Sequence, residues 1–420
     1  MDGTSRGYSA PATAQALALR QGAPADVRAA LLAARARTLR LAEDFRAALG
    51  ASPQLPYAQE INPPLWELGH VGWFQEWWTA RNPERHLGVR ANPEATRRPS
   101  LLPQADAWYD SSHVEHRLRW QLPLPDRDAT LRYLANSFAQ TLQLLDELPA
   151  DAGDDALYFF RLVALHEEMH SEAAVYMGHG LGIPLSENDA PPSAGSTAEI
   201  PIGAASFEMG CNTRGFAFDN ELGAHTVALA PGAIDAEPVT WGAYLPFVQS
   251  GGYEDPRWWS PQGRAWLNGV GQRGPAGLKR DGARWQQARA GQWHAVQDDE
   301  VAVHLSAHEA DAWCRWAGRR LPTEAEWEWA ATTQPGFRWG QVWEWTASRF
   351  EPFPGFAPHP YRDYSVPWFG TRRVLRGASR ATSPALAHAR YRNFYEPHRR
   401  DIFAGFRSAR APDAPLRSGV

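Results

Sequence analysis

Helical periodicity runs through the first part of this chain and stops at a Pro-, Ser- and Gly-rich stretch, Glu187 to Thr197. A chain with such a break calls for a helical unit, a linker and a unit of another kind. Before the break, Leu31, Ala34, Thr38, Leu41, Phe45 and Leu49 step by three or four, the stripe of an amphipathic helix. A second helix is predicted after Asn62-Pro63-Pro64, with asparagine as cap and proline in the first turn. It carries Trp66, His70, Trp73, Phe74 and Trp77 on one face. A third follows Pro125-Asp126 through Leu131, Leu134, Phe138, Thr141 or Leu142, Leu145 and Leu148. A fourth covers about Ala156 to Met177 and closes at Gly178-His179-Gly180. Four amphipathic helices with long connections predict a four-helix bundle over 20–185, a usual setting for metal sites.

The linker is set at 186–199. Beyond it, short apolar stretches such as Thr226–Leu229 and Arg373–Gly377 alternate with Gly and Pro turns, and two short helices fall near Trp241–Gln249 and Ala307–Ala317. The expectation is a loop-rich α+β domain over 200–412, making the whole chain α plus α+β. The length agrees, since 420 residues exceed one ordinary domain. A formal net charge of −5 gives no basic field for nucleic acid. No apolar run approaches the ~20 residues of a membrane span. Met1–Arg6 does not read as a signal peptide, so the expected location is the cytoplasm. Two cysteines, Cys211 and Cys314, make no disulfide framework or four-cysteine zinc site. Lys279 is the only lysine among the 42 basic residues, so a lone arginine here carries little information. Tryptophan numbers twenty, enough to fill an irregular core; the Trp327-Glu328-Trp329 and Trp343-Glu344-Trp345 runs are read as such core.

The chemistry concentrates in Leu165-His166-Glu167-Glu168-Met169-His170. Residues four apart on a helix lie one above the other, and both histidines fall on the apolar stripe of the fourth helix. Two imidazoles converging in a dry place point to a metal ion. A catalytic site needs a third ligand. His70 is the best candidate, though it also suits a core histidine packed on tryptophans, and His113 and His116 are rivals. His86, His225 and His388 are read as outward-facing. Three imidazoles suit iron, zinc or copper. The spacing also satisfies the zincin pattern, in which Glu167 would be the base of a zinc hydrolase, yet no fitting downstream ligand follows His170.

Three later segments are specific: Gly203–Gly210 with Phe216–Glu221; Ala312–Ala330, including Gly318-Arg319-Arg320-Leu321-Pro322-Thr323-Glu324; and Val342–Thr346 with Val374–Ser379 and Phe403–Arg407. They resemble the C-type-lectin-like domain of the formylglycine-generating enzymes. The helical part resembles the DinB-like bundle. Together the two resemble the EgtB-type sulfoxide synthases of ergothioneine biosynthesis. That resemblance implies Fe(II) held by His70, His166 and His170, and oxygen-dependent joining of sulfur to C2 of the imidazole of hercynine. It implies that Asn393 holds the hercynine carboxylate, with Phe394 a candidate for cation–π contact with the trimethylammonium. It also implies a tyrosine proton donor, for which Tyr361 and Tyr364 are candidates against a plain loop-packing role.

The departures point to the second substrate. Met169 stands where the family has a glutamine, Tyr395 where it has an acid, and Ala105–His116 where it has an arginine segment for substrate carboxylates. Arg399 matches a substrate position, though it and Arg400 also suit a structural ion-pair cluster. Losing these charges favours a less charged partner. Trp108, Tyr109, Ser111 and Tyr395 suit a sugar, through hydroxyl hydrogen bonds and ring faces. In this the chain is similar to the selenoneine synthases, which join a selenosugar to hercynine. The alternatives are a hercynine sulfoxide synthase using γ-glutamylcysteine or cysteine, a zincin-like hydrolase, and a lectin-like binding protein without turnover.

Overall fold

The computed structural model describes residues 7–51, 55–187, 190–212, 214–271 and 273–411. Met1–Arg6, Asn188 and Asp189 of the expected linker, and residue 412 of the expected second domain lie outside them.

The N-terminal region is helical: α1 (Ala14–Gln21), α2 (Pro24–Leu49), α3 (Pro64–Trp78), α4 (Ala105–Tyr109), α5 (Arg127–Asp146) and α6 (Asp154–Gly180). The four long ones, α2, α3, α5 and α6, pack on one another. Asp126 caps α5 by accepting the Ala129 N–H at 2.8 Å. The start of α3 differs from expectation: Pro63 is the cap, and the Asn62 amide donates instead to Glu67 Oε1 at 2.5 Å. Two consecutive prolines bring no N–H to satisfy, which frees that side chain. The end of α6 also differs. The helix runs through Gly178 and Gly180, and the chain turns at Gly182, whose φ is +69°. Gly178 serves packing rather than termination, because a Cβ there would press on Leu185 at 3.0 Å.

The second region contains β1 (Glu199–Ile202), β2 (Ala205–Met209), β3 (His225–Leu229), β4 (Gly232–Asp235), α7 (Trp241–Gln249), α8 (Pro261–Val270), β5 (Leu278–Asp281), β6 (Arg284–Arg289), β7 (Gln292–Ala295), α9 (Ala307–Trp316), α10 (Glu324–Thr333), β8 (Trp343–Arg349), β9 (Arg373–Gly377), β10 (Asn393–Tyr395), β11 (Ala404–Gly405) and β12 (Ala409–Arg410). Its strands form small sheets in the orders β10-β9-β8-β11, β1-β4-β12, β5-β6-β7 and β2-β3. This is the mixed α plus α+β architecture expected. Helices α8 and α10 were not anticipated, although the second is announced by a reciprocal capping box between Thr323 and Glu326. Trp327, Trp343 and Trp345 are buried in this core.

Helix α6 joins the two regions. Glu172 accepts hydrogen bonds from Trp343 Nε1 at 2.6 Å, Thr382 Oγ1 at 2.8 Å and Ser379 Oγ at 2.9 Å. Arg20 on α1 pairs with Glu221 at 2.6 Å. The described part of the linker lies against the second region, where the Ala194 N–H donates to the Asp299 carbonyl at 2.9 Å. Among the described residues no helix is long and apolar enough to cross a membrane.

Candidate metal centre

Helix α6 presents His166 and His170 one turn apart toward α3, and α3 presents His70 back. One ligand-capable nitrogen from each of the three lies within 4.8 Å of the others. The Nε2 atoms of His166 and His170 are 3.1 Å apart. Two of the rings are oriented by bonds through their other nitrogen. His70 Nδ1 donates to the Tyr109 carbonyl at 2.7 Å, and His170 Nδ1 donates to Glu67 Oε2 at 2.5 Å. Each bond fixes a tautomer that leaves Nε2 with its lone pair turned inward, the usual supporting arrangement for a metal-bound imidazole. His166 is held by stacking on Phe74, with ring centres 3.5 Å apart and planes 5° from parallel.

Glycine lets α3 approach. A Cβ at Gly69 would fall 2.1 Å from the Tyr109 ring, so only glycine allows Tyr109 to sit under the helix with its carbonyl at His70. Burial, with the neighbouring His170, pushes His70 down to about 3, and burial likewise lowers His166 well below the usual histidine value. Both rings are therefore neutral and ready to donate a lone pair. Burial alone would raise the Glu67 carboxyl, but the charge and hydrogen bond of His170 hold it down to about 2. Three converging imidazoles, two of them buried and two with anchored outer nitrogens, fit a divalent transition metal.

Other motif residues point elsewhere. Glu167 is turned to Arg35 of α2, at 2.7 Å, with only 1% of its side chain exposed. It has no access to the histidine cluster, and this removes the general base that a zincin requires. His113 is exposed and pairs with Asp110 at 2.8 Å, while His116 Nε2 bonds to the Ile61 carbonyl at 2.8 Å, so neither rival joins the cluster. His225 and His388 are half-buried rather than outward, His225 against Phe353 and His388 with its imidazole pushed down by burial.

The second region closes the open side. The Tyr361 ring lies 4.9 Å from Phe74 and 6.4 Å from His166, centre to centre. Burial pushes its phenol up. Tyr364 donates to the Tyr391 hydroxyl at 3.0 Å, and Tyr391 donates to Met169 Sδ at 3.4 Å. Phe394 stacks on Phe350 at 3.9 Å and meets Tyr364 edge-on at 5.9 Å. Asn393 opens β10, its Oδ1 accepting the Phe394 N–H at 2.9 Å. Tyr395 is partly buried under the Arg399 guanidinium, 5.0 Å from its ring centre. Arg399 itself pairs with Asp401 at 2.6 Å. The structure thus gathers His70, His166 and His170, sets Tyr361 beside them, and links Met169, Tyr391, Tyr364 and Phe394 in a chain of contacts, while Tyr395 and Arg399 meet each other and Asn393 opens the same strand. Tyr109 is wholly buried under α3, against Gly69.

Sequence reasoning missed Glu67, Tyr391 and Arg119. Glu67 precedes His70 by three residues on the same helix face, a readable signal. Tyr391 lies in a loop and had none. Arg119 covers Trp66 at 3.9 Å and donates to Asn62 Oδ1 at 2.9 Å; among the described residues it forms no ion pair.

The chain matches the sulfatase-modifying factor enzyme 1-like domain family over residues 186–341 and 336–412. A hercynine oxygenase of Mycolicibacterium smegmatis is 34% identical over 90% of this chain and 97% of its own length. A hercynine oxygenase of Mycobacterium tuberculosis is 32% identical over 90% and 97%. The formylglycine-generating enzyme of Streptomyces coelicolor is 29% identical, over 53% of this chain and 91% of its own length. With a helical region carrying a three-histidine cluster ahead of a formylglycine-enzyme-like domain, the chain belongs to the hercynine oxygenase family of oxidoreductases.

Proposed function

We propose that the chain holds Fe(II) through His70, His166 and His170 and uses dioxygen to join selenium from a 1-selenosugar to C2 of the hercynine imidazole, on the way to selenoneine. Iron, when bound, supplies the one-electron redox chemistry that dioxygen requires. The protein supplies the rest. Glu67 and the Tyr109 carbonyl keep His170 and His70 in their metal-binding tautomers. Phe394, on the rigid Phe350 ring, offers a π face to a trimethylammonium group, and Asn393 beside it offers an amide to a carboxylate. The Tyr361 ring lies 6.4 Å from His166, which makes it the candidate proton donor; burial raises its phenol, so it would give up the proton only to a strongly basic centre formed beside it.

The observation that carries the sugar reading is Arg399. Its charge is already matched by Asp401, and the position two after Asn393 is Tyr395. Met169 takes the Tyr391 hydroxyl on its sulfur. This wall offers hydroxyls and ring faces, not a clamp for an amino acid's charged ends. A second reading, hercynine sulfoxide synthase acting on γ-glutamylcysteine or cysteine, is favoured by the hercynine oxygenase relatives and by Arg119, a cation near the cluster with no ion-pair partner among the described residues.

The deciding experiment is an aerobic assay with Fe(II), hercynine and, in parallel, a 1-selenosugar, the matching thiosugar or γ-glutamylcysteine, with products identified by mass. The selenosugar is expected to turn over fastest. Turnover with γ-glutamylcysteine alone would establish the second reading, and a chain that binds no iron after anaerobic loading would sink both.

A further inference from the structure

The histidine cluster is also bordered from within the helical bundle. A cavity of about 60 Å³ lies among α2, α3 and α6. Leu41, Phe45, Leu68, Val71, Ala174 and Met177 line it. Its inner end reaches His170 and its partner Glu67, and its rim is formed by Arg46, Gly50, Ala51 and Arg127. Among the described residues none of the second region borders it, so it lies apart from Tyr361, Phe394 and Tyr395.

Polarity selects an occupant. The lining is almost wholly apolar, which suits neither a zwitterionic trimethylated histidine nor a sugar. Its two hydroxyls, Thr38 and Ser171, lie within hydrogen-bonding distance of each other at 3.2 Å. The rim arginines are turned to Glu43, which Arg127 contacts at 3.0 Å. Water fits by volume, since one molecule needs roughly 10–15 Å³, but it also needs two to four polar partners, and apolar cavities without them stay dry and take up xenon or apolar molecules. A small apolar diatomic meets both conditions.

We propose that this cavity is the entry and holding site for dioxygen, delivering it to the cluster through the bundle while the organic substrates bind from the second region. The inference rests on the oxygen-dependent reading above. It gives a physical reason for an apolar void beside a buried, otherwise polar cluster: the gas partitions into it in preference to water.

Xenon pressurisation of crystals of the full-length protein tests the cavity directly. Xenon is expected between Leu68 and Ala174 in the wild type, and absent in Ala174→Phe and in Ala42→Phe, which block the interior and the α2 wall. In stopped flow, oxidation of bound Fe(II) by dioxygen without organic substrate should slow at least about tenfold in both, because access then limits the encounter. Iron content and KM for hercynine should not change. An empty cavity in the wild type, or unchanged oxidation rates in variants that exclude xenon, would overturn the proposal. If Ala174→Phe does not fold, Ala42→Phe carries the test. Neither readout needs turnover of hercynine, so failure of the reaction assigned above would leave this result standing.

Discussion

The helical region and the loop-rich domain both bury arginines against glutamates, and they differ in the carbonyls those arginines reach. In the bundle, Arg35 is tied to Glu167 and Gln75, and the carbonyl it reaches, that of Leu134 at 2.8 Å, lies inside α5, where the helix's own ladder already runs. In the second domain, Arg376, Arg392 and Arg407 are almost wholly buried, and each meets a glutamate: Glu328 at 2.6 Å, Glu324 at 3.0 Å and Glu344 at 2.6 Å. Each also donates to main-chain carbonyls. Arg376 reaches Ala389, Arg392 reaches Asn220 and Glu351, and Arg407 reaches Asp235 and Arg338. A fold poor in helix and sheet leaves carbonyls without ladder partners, and a guanidinium with five donors can satisfy several at once. Where regular structure is scarce, side chains do the work of secondary structure.

The sharpest break in that comparison is at the metal. His166→Ala or His170→Ala should lower bound iron from near one per chain to below about a tenth, since two imidazoles rarely hold the ion. Turnover should vanish while circular dichroism stays unchanged, because α6 keeps its own hydrogen bonds. Removing an arginine partner from the second domain should do the reverse. Glu344→Ala leaves Arg407 charged and buried, and denaturant titration should show a loss of about 3–5 kcal/mol, with iron retained in the fraction that folds. A smaller effect is expected at Glu67→Gln. The bond to His170 survives as a neutral one, and iron affinity in a competition titration should fall about 10–100-fold.

The mildest test is at the junction. Burial raises the Glu172 carboxyl above its ordinary value despite three hydrogen bonds to it. A raised acid holds its proton longer in the folded state, so stability falls as pH rises from the usual carboxyl range through the raised value. Glu172→Gln should flatten that slope in thermal melts across the same window. An unchanged slope would show that the junction does not feel this charge.

The same contrast explains what the sequence made legible. The bundle could be read because its apolar residues repeat at helical spacing, and the spacing of His166 and His170 has one meaning on a helix. His70 could be nominated but not placed, since its convergence depends on how α3 packs on α6. Tyr391 had no signal at all: a loop brings it to Met169, and no period marks a loop. Helix α10 was overlooked because Trp327-Glu328-Trp329 is apolar and charged on every side, although Thr323 and Glu326 spelled its start. The tie between Arg399 and Asp401 was readable two residues on, yet only the structure shows it made.

From His166 to Glu172 every side chain of α6 is engaged, each in its own direction. His166 and His170 face the cluster, Glu167 faces Arg35, Glu168 faces Arg37, Met169 faces Tyr391, Ser171 faces Thr38, and Glu172 faces Trp343. Such a segment has almost no freedom to drift under mutation, because each replacement disturbs a different neighbour. New substrate preferences in proteins of this plan would therefore arise in the second domain, where Tyr361 and strand β10 sit, and at the one helix position that faces its loop, Met169 against Tyr391, while the positions that face other helices change last.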